Sequence, residues 1–206
     1  KDFLEVIGVK TNLRHLDLSR NNIGRPENLA LHGDESPGVL ALAALLAHPS
    51  CIIEVLNISW NAISRSFPVL VDAIRKNPSL TTLDLSYNGL GDHGEALGAA
   101  LADNHALTSL DVSHNKMKAR ATFTLVSAVY ACKTLQFIEL SGNPVGKVGA
   151  AAIIKLQSRL GRHVSVSMEG CSVSMRDPAA APALGSQSPI GNYTLDLAVP
   201  YERALC

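Results

Sequence analysis

In this chain of 206 residues, Lys plus Arg and Asp plus Glu number 18 each, so no net charge steers it towards nucleic acid or an anionic membrane. Hydrophobic residues make up 47%, yet the longest apolar run, Val39 to Ala47, is nine residues against the roughly 20 that span a bilayer. Cys51, Cys132, Cys171 and Cys206 are too dispersed for a disulfide framework or a zinc site, and a reducing, cytoplasmic compartment is expected.

The chain opens on Lys1 rather than Met, and Phe3 to Val9 reads as the end of a helix from an earlier repeat. Residues 1–11 are therefore assigned to a preceding unit, and the sequence is read as a piece of a longer protein. From residue 12 to 173 one register recurs: an apolar residue, a second three positions on, a third two further, then Asn or Cys three beyond and one more apolar residue. The first copy is Leu13, Leu16, Leu18, Asn21 and Ile23. Arg25 to Gly38, RPENLALHGDESPG, follows as a loop insertion projecting from the rim. Ser36 and Pro37 give a cap and first-turn signal for the helix GVLALAALLAH, which Pro49 stops. The second copy, Ile53, Leu56, Ile58, Asn61 and Ile63, leads to Ser66, Pro68 and a helix FPVLVDAIRK ending near Asn77 and Pro78.

Leu80, Leu83, Leu85, Asn88 and Leu90 form the third copy, with a helix from about His93 to Asp103. Leu107, Leu110, Val112, Asn115 and Met117 form the fourth, with a helix over Ala119 to Ala131. Leu135, Ile138, Leu140, Asn143 and Val145 form the fifth, with a helix from Lys147 to Leu160. The sixth is weaker: His163 stands in the first apolar slot before Val166, Met168, Cys171 and Val173. Residues 174–190 are a linker rich in Pro, Ala and Ser. In the last segment, 191–206, alternation over Tyr193 to Leu197 predicts a strand, and Pro200 is placed to open a helix.

The Asn or Cys slots at 21, 61, 88, 115, 143 and 171 lie 40, 27, 27, 28 and 28 residues apart, and only the first interval is stretched, by the insertion. Alternation at Leu16 and Leu18 makes one strand face core and the other exposed. The Asn amide, carrying donors and an acceptor, can satisfy backbone groups of adjacent coils that water cannot reach. Strands joined by crossover helices must be parallel with right-handed connections. Stacking wide helices behind narrow strands bends the array. The expected fold class is thus α/β, a leucine-rich repeat solenoid or horseshoe with parallel β-strands on its concave face and α-helices on its convex face.

The stretch LTTLDLSYNGLGDHGEALGAALADNHALTSLDVSHN, Leu80 to Asn115, with a full helix in each unit of 27 to 28 residues, resembles the ribonuclease-inhibitor-like class of leucine-rich repeats. The resemblance covers Asn12 to Val173. That class includes ribonuclease inhibitor, the sensing domains of nucleotide-binding immune receptors and the Ran GTPase-activating protein, all of which grip other macromolecules. It implies a non-enzymatic protein-interaction module, a scaffold or sensing domain. The alternatives are a regulator of a small GTPase, although the acidic tail expected of the Ran regulator is absent here, and the sensing domain of an immune receptor.

Gly89, Gly91 and Gly94 spell GxGxxG between a strand and a helix, the context of a dinucleotide site, but they fall inside the repeat register and are read as turn glycines. Gly142 to Lys147 is one residue short of a phosphate-cradling loop, and Val148 replaces the Ser or Thr it needs. The seven histidines show neither HxxxH nor HExxH spacing. The sequons at Asn57 and Asn192 are short enough to be chance. No catalytic residues, cofactor, metal, nucleic acid, membrane or small-molecule substrate is expected.

What remains is the inner face. Between the second and third apolar slots stand Asp17, Asn57, Asp84, Asp111, Glu139 and Ser167, four of them carboxylates. Next comes an outward column of Ser19, Ser59, Ser86, Ser113, Ser141 and Glu169, and beyond it Arg20, Trp60, Tyr87, His114 and Gly142. On the plainer reading Asp and Ser are ordinary choices for solvated strand ends. On the sharper one Asp17, Asp84, Asp111 and Glu139, with Trp60, Tyr87 and His114, bind a basic, partly apolar segment of a protein partner, because interface energy concentrates in aromatics.

Overall fold

The computed structural model describes residues 12–25, 36–159, 161, 163–174 and 192–194. Six strands of three residues each, β1 (His15–Asp17), β2 (Val55–Asn57), β3 (Thr82–Asp84), β4 (Ser109–Asp111), β5 (Phe137–Glu139) and β6 (Ser165–Ser167), form one parallel sheet in chain order. Five helices alternate with them: α1 (Pro37–Ala47), α2 (Phe67–Lys76), α3 (Gly94–Asp103), α4 (Ala119–Ala131) and α5 (Gly146–Arg159). Short 3₁₀ turns, Ile63–Ser66 and Gly91–His93, lead into α2 and α3. Each helix packs on the next one along the chain, giving the open strand-and-helix solenoid that the register predicts.

The strands pair without slippage. Leu16, Leu56, Leu83, Leu110, Ile138 and Val166 stand in one cross-strand row, and from Leu56 to Ile138 that row is at most 1% exposed. Opposite them the helices contribute Leu70, Leu97, Leu125 and Ile153, all fully buried, at the same repeat interval. Each such side chain contributes roughly 1.5–3 kcal/mol by leaving water, but only when a neighbouring coil covers it. Where coils approach most closely, glycine is required: a Cβ on Gly98 of α3 would stand 2.9 Å from the Thr124 backbone carbon of α4.

The asparagine ladder works as its chemistry suggests. Asn61 donates to Leu18 O at 2.8 Å and Ile58 O at 3.1 Å, and its Oδ1 accepts the N–H groups of Asn21 at 3.0 Å and Ile23 at 3.1 Å. Asn88, Asn115 and Asn143 repeat the pattern one coil on each time, and the Cys171 thiol donates to Leu140 O at 3.3 Å. A second ladder stands at the far end of the helices. Asn77 donates to Leu46 O at 2.7 Å and caps the Ser79 and Leu80 N–H groups, while Asn104 donates to Ile74 O at 2.8 Å and caps Ala106 and Leu107. Cys132 takes the third place with its thiol on Asn104 O at 3.6 Å. Asn77, predicted only as a helix stop, is thus buried and ties two coils together.

Two expectations need correction. Ser36 and Ser66 flank helix starts, but neither side chain caps its helix. Both are buried: Ser36 donates its hydroxyl to Ile23 O, and its N–H donates to Ser66 Oγ at 2.7 Å, because a coil interface offers these groups partners that a solvated helix end does not. The predicted C-terminal strand starts one residue earlier, as β8 (Asn192–Thr194), and pairs antiparallel with β7 (Ser172–Ser174), Val173 opposite Tyr193. The helix end assigned to 1–11, most of the rim insertion (26–35), the linker from 175 and the segment beyond 194 lie outside the described residues.

Candidate functional site

The parallel register aligns the strand residues into columns. Asp17, Asn57, Asp84, Asp111, Glu139 and Ser167 are direct neighbours across the sheet. Each acid or amide first serves its own turn: Asp17, Asn57, Asp84, Asp111 and Glu139 accept the N–H of the residue two further on, at 2.8 to 3.0 Å. That pulls the serines inward. Ser59, Ser86 and Ser113 are only 6%, 6% and 7% exposed, so the predicted outward column is buried in its three central coils, while Ser19 and Ser141 are half-buried and Glu169 is exposed. The aspartates retain an oxygen for other partners, as Asp17 shows by accepting from Asn57 Nδ2 at 3.4 Å.

Position in the ladder sets the electrostatics. Asp17, at the exposed end, has its pKa lowered, first by the Ser19 N–H, then by the Ser19 hydroxyl. Asp111, in the middle, is pushed above the ordinary carboxylate range, first by burial. Ser113 hydrogen bonds partly offset this, and the charges of Asp84 and Glu139 reinforce it. Like charges directly opposite on paired strands are destabilising. Among the described residues, ion pairs form at Glu54, Asp72, Glu95 and Asp103 and at no acid of this ladder.

The outermost column is where the structure adds most. Arg20, Trp60, Tyr87 and His114 all have left-handed backbone, with φ of 61°, 58°, 56° and 52°. The fifth and sixth coils put Gly142 and Gly170 in that slot, at φ 67° and 63°. A non-glycine residue there costs on the order of 1 kcal/mol, so these four side chains are held against a local cost. They compensate one another by stacking. Trp60 and Tyr87 lie with centroids 4.1 Å apart and Tyr87 and His114 at 4.3 Å, both pairs inclined by 12°. Arg20 Cζ sits 5.4 Å from the Trp60 ring centroid, within cation–π range. At the other end the imidazole lies over Gly142, where a Cβ would stand 2.3 Å from His114 Nδ1. Trp60 is nevertheless 48% and Tyr87 38% exposed.

The structure therefore brings Trp60, Tyr87 and His114 into one stack beside the acid ladder of Asp17, Asp84, Asp111 and Glu139. It adds two residues the sequence reading did not single out as site members. Arg20 was visible in the column, but its ring contact was not. Phe137 stands on the other side of the acids, in the strand slot shared by His15, Val55, Thr82, Ser109 and Ser165, and is 36% exposed. Counting one residue back from the second apolar position of each repeat would have found it.

The GxGxxG glycines have local duties. Gly89 and Gly91 take positive φ of 67° and 52°, while Gly94 lets α3 approach the next coil, since a Cβ there would meet Met117 Cε at 2.9 Å. Asn57 lies within β2 with its amide in the ladder. Cys51, Cys132 and Cys171 are buried. Among the described residues no cluster of metal-ligating side chains occurs and no helix is long and apolar enough to cross a membrane.

Comparison with known proteins agrees with this architecture. The Leucine Rich repeat family model matches residues 9–25, 76–94, 103–120 and 131–153. The chain is a leucine-rich repeat protein. Among solved structures, the leiomodin-1 chain titled Actin-Binding Site 2 aligns at 13% identity with a TM-score of 0.57, over 77% of this chain and 87% of that one. At that identity the likeness is one of fold. No curated protein sequence matches the chain.

Proposed function

We propose that this array is a non-enzymatic protein-interaction module that holds a basic, partly apolar segment of a protein partner against its strand face. The observation that carries this reading is the exposed stack of Trp60, Tyr87 and His114, kept on left-handed backbone beside carboxylates that no cation of the described chain neutralises. Aromatic anchors supply apolar area at low entropic cost, and a neighbouring acid ladder selects a cationic partner and speeds its approach. Leucine-rich repeats form a fold generally used to bind proteins, and the leiomodin-1 neighbour is, by its title, an actin-binding site. Units of 27 to 28 residues, each with a full helix, support placing the array in the ribonuclease-inhibitor-like class.

Quantitative affinity isolation with three baits tests the site: the native chain, the concave variant Trp60→Ala/Asp84→Lys/Asp111→Lys, and the helix-face variant Phe123→Ser. Phe123 is 49% exposed on α4 and represents the opposite surface. A partner retained by the native and helix-face baits and lost from the concave variant supports the proposal. A partner lost only from the helix-face variant places the site on the convex side.

A further inference from the structure

The strand face does more than favour positive charge; its spacing selects a conformation. Asp84, Asp111 and Glu139 are direct neighbours on three successive strands. Paired strands lie about 4.8 Å apart, so the first and third carboxylates are about 9.6 Å apart measured along the array. An extended segment laid along this axis presents same-side residues about 6.8 Å apart, and by its third contact is displaced by about 4 Å. A helix presents residues i, i+3 and i+7 at rises of about 4.5 and 10.5 Å, staying within about 1 Å of every carboxylate. Flanking these three acids are Tyr87, His114 and Gly142 on one side and Thr82, Ser109 and Phe137, in the preceding strand slot, on the other, and the ring stack continues one coil further to Trp60. A basic stripe with an apolar residue towards Tyr87 at one end and another towards Phe137 at the opposite end complements that arrangement.

We infer that the partner segment binds as an α-helix, its axis crossing β3, β4 and β5, with Lys or Arg at i, i+3 and i+7 facing Asp84, Asp111 and Glu139. This rests on the proposed strand-face site and assigns its occupant. The partner's cations would also offset the mutual repulsion of Asp84, Asp111 and Glu139, which face one another on paired strands.

Trp60 is the only tryptophan of the chain, so its fluorescence reports occupancy directly. Three capped peptides of equal length serve as probes: one with lysines at i, i+3 and i+7 between leucines, one of the same composition with lysines scattered around the helix, and one with alternate lysines interrupted by proline so that it stays extended. The helical-stripe peptide is expected to bind at least tenfold tighter than both others at low salt. It should weaken at least tenfold on Asp84→Asn/Asp111→Asn, a substitution the fold accepts because Asn57 fills the same slot and caps Ser59 in the same way. If the extended peptide binds as tightly as the helical one or tighter, and depends on the aspartates, the helical occupant is wrong and the strand-face site stands. Peptide binding indifferent to the aspartate variant, or no binding by any of the three, overturns both.

Discussion

Replacing Asn88 by Ala probes the device that makes separate coils one molecule. Asn88 is 3% exposed. Its Nδ2 donates to Ile58 O and Leu85 O at 2.9 Å each and to Ser86 O at 3.2 Å, and its Oδ1 accepts the N–H of Asn61 at 2.9 Å and, more weakly, of Ile63 at 3.4 Å. The carbonyls are the lesser loss, since Ile58 O keeps Asn61 Nδ2, Leu85 O keeps Asn115 Nδ2 and Ser86 O keeps the Trp60 N–H. The donors are the greater one. Stranding a buried N–H costs about 1–3 kcal/mol; with the Asn61 donor at full weight and the Ile63 donor at a fraction, Asn88→Ala should destabilise by about 2–4 kcal/mol. Urea unfolding followed by circular dichroism measures this directly. Asn21→Ala is the internal control, because among the described residues the exposed Asn21 side chain bonds Leu18 O and Ser19 O of its own coil and no other coil, and the change should cost under about 1 kcal/mol. A loss below about 0.5 kcal/mol for Asn88, or equal losses at both sites, would refute the argument that inter-coil N–H groups depend on this amide.

Trp60→Gly removes a strained backbone position and a stacking partner together, worth about 1 kcal/mol in one direction and 0.5–1.5 in the other. Stability by urea unfolding should therefore change by less than about 1 kcal/mol, while partner binding weakens by about 2 kcal/mol or more if Trp60 is an anchor. Asp111→Asn should stabilise the protein at neutral pH. The native carboxyl holds its proton above the ordinary value of 3.8, so the native state binds more protons than the unfolded one and stability falls as pH rises from 3.8 through the raised value. The gain from Asn should appear across that window and vanish below it, checked by unfolding over a pH series. Gly142→Ala should displace His114 from Tyr87, because a Cβ would lie 2.3 Å from the imidazole; His114 ring proton shifts will show it, and unchanged shifts would mean the ring is not held there. Calorimetric titration with NAD or FAD should give no saturable heat, and saturable binding abolished by Gly91→Ala would reverse the reading of that motif as a turn.

Periodicity carried most of the fold. Every apolar slot from Ile53 to Val145 is buried, because a repeat that must cover its neighbour tolerates few substitutions along that row, and the helix predicted over Ala119 to Ala131 has those bounds. The second ladder of Asn77 and Asn104 was legible by the same counting, but a capping signal at a helix end hid it: asparagine stops helices in any fold, and nothing local distinguishes a solvated stop from a buried tie. Ser36 and Ser66 were misjudged for the same reason. Their identities fit a cap, and only the adjacent coil decides where each hydroxyl turns.

The site divides along the same line. That Asp17, Asp84, Asp111 and Glu139 share a column follows from register alone, since one-to-one pairing of parallel strands leaves them nowhere else to stand. Their individual character does not. Asp17 and Asp111 hold the same place in their repeats, accept the same hydrogen bond from the residue two further on, and shift in opposite directions because one stands exposed at the end of the sheet while the other is partly buried in its middle, with two like charges beside it. The aromatic column depends on geometry still further from the letters. Arg20, Trp60, Tyr87 and His114 become a stack because the turn places each in left-handed backbone and aims consecutive side chains along the array, and because Gly142 leaves room for the last ring. A chain selected for stability alone has glycine available at that slot, as the fifth and sixth coils show. Four coils carry large side chains there instead, so the local cost is tolerated at the rim of the strand face, where the proposed partner would meet those side chains beside carboxylates without an ion pair.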